Sequence, residues 1–112
     1  MRIPRFLFVL ALTFGACMTS TAQAGADVPD ADRQAALMHL LRQDCGACHG
    51  MRLRGGLGPA LSAERFRDWS VEQLAQTILQ GRPGTPMPPW QPFLTDGEAR
   101  WLAAQLKRGM QQ

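Results

Sequence analysis

The sequence contains no tyrosine, two histidines and three cysteines. That scarcity narrows the chemistry. A four-ligand zinc site needs four Cys or His donors in suitable spacing. Beyond the tight group Cys45, Cys48 and His49, the only others are Cys17 and His39. Long apolar runs are also lacking. The run Phe6 to Ala16 is too short to span a bilayer as a stable anchor. No alternating strand pattern, internal repeat or second domain is visible. The Gly-rich stretch from Gly50 to Pro59 lacks the Lys-Ser/Thr ending of a phosphate-binding loop.

What is present is concentrated in Cys45-Gly46-Ala47-Cys48-His49. C-x-x-C-H is the attachment pattern of a c-type haem. Two thiols add across the haem vinyl groups as thioethers, and the two residues between them match the vinyl separation. The next residue, His49, is thereby placed under the iron as proximal ligand. A thiol–disulfide C-x-x-C motif has no need of histidine at that place.

The first 24 residues read as a secretory signal. Arg2 and Arg5 form a positive start, Phe6 to Ala16 a short apolar segment, and Ala22-Gln23-Ala24 an A-x-A cleavage site. A retained anchor and lipidation at Cys17 are the alternatives, the latter weakened by Phe14 in a poor lipoprotein box. Export accords with the motif, because bacterial haem attachment takes place outside the cytoplasmic membrane. The expected location is therefore the periplasm, with the haem-attachment machinery as a partner during maturation and no membrane anchor after cleavage. Cleavage removes Cys17 and leaves Cys45 and Cys48 as the only cysteines.

Cleavage also changes the charge. The full chain has 12 basic and 9 acidic residues. Loss of Arg2 and Arg5 leaves ten against nine, and two haem propionates would turn the balance slightly negative. The high isoelectric point is thus no sign of nucleic-acid binding. Removing 24 residues from 112 leaves 88, a single domain at 25–112 with little core of its own. A covalently held haem provides the missing apolar centre.

Three helices are expected. Asp30 caps a helix from Ala31 to Asp44, with Leu37, Leu40 and Leu41 in the helical rhythm. Ser70 and Gln73 form a capping box before a second helix, with Val71, Leu74, Ala75 and Ile78 inward and Gly81 as its stop. Thr95 and Glu98 form another box, before a helix to about Arg108 with Trp101, Leu102 and Leu106 inward. Lys107 and Arg108 suit that helix's C-terminal dipole. Between the second and third helices, prolines at 83, 86, 88, 89 and 92 exclude helix and central strand. The Gly-rich loop after His49 is expected to pass close to the haem.

An iron that only shuttles electrons needs a second axial ligand. Met87 is the candidate. It lies 38 residues after His49 in Gly84-Thr85-Pro86-Met87-Pro88-Pro89-Trp90, enough chain to reach the distal face. Met51 is too near His49, Met38 and His39 lie on the first helix, and Met110 is in the tail. Thioether ligation favours the ferrous state relative to two histidines. Arg82 and Trp90 flank the Met87 loop and, with no tyrosine available, are candidate donors to the propionates.

Together these residues resemble a class I cytochrome c: an all-α fold of three to four helices wrapped around one covalently bound haem c. The resemblance implies that the carbonyl of Pro59, in the step Gly58-Pro59, accepts the proximal imidazole's N–H. It also implies that the first and last helices pack together, here through Leu37 and Leu41 against Trp101 and Leu102. The blocks Cys-Gly-Ala-Cys-His-Gly-Met-Arg-Leu, Gly-Gly-Leu-Gly-Pro-Ala-Leu and Gly-Arg-Pro-Gly-Thr-Pro-Met-Pro-Pro-Trp are similar to the small NirC-type monohaem cytochromes of denitrifying bacteria, and to the cytochrome domain of NirN-like proteins. That likeness implies an electron carrier, not an enzyme, whose partner is cytochrome cd1 nitrite reductase. The alternatives are an accessory role in haem d1 maturation and, with an open sixth position, a gas sensor or enzyme.

Overall fold

The computed structural model describes residues 28–110. The expected signal segment, its cleavage site and Cys17 lie outside the described residues. Among those described, all regular structure is helical.

The first helix, α1 (Ala31–Leu40), starts where Asp30 accepts the N–H of Arg33 at 2.8 Å. This contact satisfies one of the orphan donors at a helix start. The helix does not end where the sequence suggested. It widens into a π-helical turn, Leu41–Cys45, and continues as α2 (Gly46–His49). Gly46 N–H reaches back to the carbonyls of Leu41 and Gln43, so the backbone stays bonded through the wider turn. Such turns are frequent at functional sites. Here the turn leads directly into the C-x-x-C-H segment.

Both expected capping boxes form. Ser70 accepts Gln73 N–H at 3.0 Å, while the Gln73 side chain accepts Ser70 N–H at 2.8 Å, starting α3 (Val71–Gln80). Thr95 and Glu98 do the same at the start of α4 (Asp96–Arg108). Gly81 and Gly109 end these helices at positive φ, +65° and +74°.

The core lies where α3 packs on α4 and α1 meets α4. Leu37, Leu41 and Leu102 are its largest fully buried side chains. Ala99 and Ala103 are fully buried on α4, and their small size lets neighbouring elements approach. Trp101 is half-buried against this cluster, not inside it. The inner face of α3 also differs from expectation. Leu74, Ala75 and Leu79 are buried, whereas Val71 and Ile78 stay at the margin. Phe66, from the segment between α2 and α3, completes the core and meets Trp69 edge-on at 5.9 Å.

Two long-range ties fix the helices. Arg33 pairs with Glu98 at 2.5 Å, joining the starts of α1 and α4. Lys107, expected only to complement a dipole, extends its ammonium to the carbonyls of Phe66, at 2.8 Å, and of Trp69. It thereby ties the end of α4 to the segment that enters α3.

Candidate haem-binding site

Cys45, Cys48 and His49 lie on one continuous helical stretch. Spacings of three and four place them on a common face. Both thiols are unpaired; Cys45 is half-buried and Cys48 exposed. Burial, aided by the neighbouring Asp44 carboxylate, pushes the Cys45 thiol up to about 11.

The imidazole of His49 is held from one side. Its Nδ1 lies 2.7 Å from the carbonyl oxygen of Pro59. A carbonyl only accepts, so Nδ1 carries the proton and the lone pair is on Nε2. That is the tautomer a metal ligand needs.

The Gly-rich loop makes this contact possible, in a way the sequence did not reveal. It folds back over the C-x-x-C-H segment itself. Gly58 N–H donates to the Cys48 carbonyl at 2.8 Å, and Gly55 N–H to the His49 carbonyl at 2.8 Å. A Cβ on Gly58 would stand 2.8 Å from both Cε1 and Nδ1 of His49, and one on Gly56 would stand 2.8 Å from the Cys48 carbonyl. At these positions glycine makes room for the chain's own backbone and the His49 ring. Leu53, within this loop, is a buried non-glycine residue at φ +56°.

Met87 is half-buried in the proline-rich loop. The loop is fastened at both ends. Arg82 N–H donates to the Met87 carbonyl at 3.1 Å; Trp90 and Gln91 N–H donate to Ile78 and Leu79 carbonyls at the end of α3. Arg82 is exposed, and Trp90 is half-buried with its ring edge-on to Phe93.

Comparison with known proteins bears on the family of the chain. Residues 32–106 match the family model described as cytochrome c oxidase, cbb3-type, subunit III. The chain is 53% identical over 100 residues to cytochrome c55X of Pseudomonas aeruginosa, covering 89% of this chain and 82% of that protein. It is 52% identical over 86 residues to cytochrome c55X of Paracoccus denitrificans, covering 77% and 82%. The chain belongs to the cytochrome c55X, or NirC-type, family of c-type cytochromes. Among solved structures, the c-type cytochrome NirC superposes with a TM-score of 0.71 at 57% identity, covering 73% of this cytochrome and 96% of that chain. Dihydro-heme d1 dehydrogenase NirN, in complex with DHE, superposes with a TM-score of 0.60 at 37% identity. There the match covers 67% of this cytochrome but 16% of the larger chain.

Membership of this family implies covalent haem c, and the residues fit it. Two free thiols three residues apart would hold the vinyl carbons, and the oriented imidazole of His49 would hold iron. Among the described residues no group of three or more His, Cys, Asp and Glu side chains is placed to hold a bare metal ion. The cytochrome is a small electron carrier and not an enzyme. Among the described residues no helix is long and apolar enough to cross a membrane.

Proposed function

We propose that this cytochrome is a periplasmic one-electron carrier of denitrification that donates to cytochrome cd1 nitrite reductase, with His49 and Met87 as its axial ligands. The observation that carries the reading is the 2.7 Å contact between His49 Nδ1 and the Pro59 carbonyl. It holds the ring and its tautomer before any partner arrives, and it raises the basicity of Nε2.

Bound haem supplies the iron couple; the chain's residues do the rest. Cys45 and Cys48 anchor the macrocycle. The half-buried thiol of Cys45, pushed up to about 11, stays protonated at neutral pH and is therefore a poor nucleophile. This supports a need for attachment machinery. Met87, from a loop whose prolines limit its motion, would supply the second ligand to the iron. Arg82 and Trp90, on either side of Met87, are assigned to the propionates. The N-terminal signal pattern supports the periplasmic location.

Absorption spectra test the ligation. The oxidised holoprotein is expected to show the weak long-wavelength band of an iron–thioether bond, and Met87→Ala to lose it. A high-spin spectrum that shifts on adding carbon monoxide would overturn the carrier reading. Stopped-flow reduction of isolated cytochrome cd1 by the reduced protein tests the donor role.

A second reading is an accessory role in haem d1 maturation. It draws on the 36% identity, over 98 residues, to dihydro-heme d1 dehydrogenase of Pseudomonas aeruginosa, of which the match covers 18%. Failure to reduce the reductase, together with electron exchange with that dehydrogenase, would favour it.

A further inference from the structure

Gly81 was expected to do no more than stop a helix. Its surroundings give it another task. It is buried, at φ +65°, directly behind the Met87 loop. A Cβ placed there would stand 2.5 Å from the carbonyl carbon of Pro88, 2.7 Å from the Met87 oxygen and 2.7 Å from the Pro88 oxygen. All three are backbone atoms, so no side-chain rotation relieves the collision. The next residue, Arg82, donates its N–H to the same Met87 oxygen at 3.1 Å. The peptide that carries Met87 is thus seated on a glycine without a side chain and latched by the following amide.

We infer that Gly81 is the positioning residue for Met87: its missing side chain lets the Met87–Pro88 peptide close onto the end of α3 and sets how far the thioether extends toward the iron. The inference rests on the assignment of Met87 as axial ligand. A Cβ at Gly81 pushes the Met87–Pro88 backbone outward, and the Arg82–Met87 hydrogen bond opens with it. A thioether on a loop that is stiff elsewhere cannot recover that displacement, because the prolines at 86, 88 and 89 restrict the neighbouring torsions.

The same loop contains a control. Gly84 also has a left-handed backbone, φ +77°, but a Cβ there would meet nothing within 4 Å. Gly81→Ala and Gly84→Ala therefore share the strain of an L-residue at positive φ, and only the former adds the collision.

The experiment compares holoproteins: unaltered, Met87→Ala, Gly81→Ala and Gly84→Ala. Oxidised-state spectra and amide hydrogen exchange are the two readouts. The expected result is loss of the long-wavelength band in Gly81→Ala, its retention in Gly84→Ala, and faster exchange at the Arg82 amide in Gly81→Ala alone. If the unaltered protein and Met87→Ala give the same spectrum, the ligand assignment fails and the inference falls with it. If the band is present but the two glycine variants weaken it equally, the ligand assignment stands and the inference is overturned. Should Gly81→Ala fail to fold, the unaltered protein still decides. Its Arg82 amide is expected to exchange as slowly as the Trp90 and Gln91 amides bonded to α3, and exchange at the rate of an open loop overturns the latch.

Discussion

Substituting Gly58 by alanine tests the geometry of the proximal side most directly. The added Cβ would lie 2.8 Å from two atoms of the His49 ring, closer than side-chain carbons tolerate. Either the ring tilts or the loop carrying Pro59 retreats, and both break the 2.7 Å bond from Nδ1–H to the carbonyl. Such a bond contributes about 0.5–1.5 kcal/mol net. It strengthens as the ring gives up electron density, so it favours oxidised iron, and its loss raises the reduction potential. For a one-electron couple about 1.4 kcal/mol corresponds to roughly 59 mV, and only the part of the bond energy that differs between the oxidation states counts, so the upward shift is at most about 65 mV. Spectroelectrochemical titration of the holoprotein measures it. Pro59→Ala is the control: it keeps the carbonyl, and the potential is expected to stay close to that of the unaltered protein. An unchanged potential in a folded Gly58→Ala protein would refute the claim that this contact tunes the iron.

Leu37→Ala removes a fully buried side chain where α1 meets α4. It is expected to cost ~2–5 kcal/mol in urea unfolding of the holoprotein, and a loss well below that range would place the first helix outside the cooperative core. At Glu98, the hydrogen bond from Arg33 holds the carboxyl below the ordinary glutamate range, against an opposing effect of burial. The unfolded chain therefore binds a proton first as pH falls. The pair's stability is present above the ordinary glutamate value and disappears as pH drops through the lowered one. With Arg33 42% exposed, the contribution is about 0.2–1 kcal/mol. Glu98→Gln should flatten the acid limb of a thermal-melting series against pH. An unaltered acid limb would show that the pair contributes nothing.

The part of the fold legible in the sequence was the part made by neighbours. Ser70 with Gln73, Thr95 with Glu98 and Asp30 with Arg33 are pairs three residues apart, so residue type and spacing fix the bond before any tertiary contact exists. Cys45, Cys48 and His49 are likewise local, and their chemistry is readable as spacing alone. Tertiary structure decided what depends on distant pieces of chain. Lys107 reaches carbonyls 38 and 41 residues away, and Arg33 meets Glu98 across 65 residues. Nothing in the local pattern of either cation marks its partner, since a lysine near a helix end suits the dipole equally well. The glycines divide in the same way. Gly81 could be read as a helix stop, but that it supports the Met87 peptide and that Gly58 faces the His49 ring became visible only in three dimensions. A glycine's role there is the space it leaves empty, and the sequence does not say which atoms fill that space.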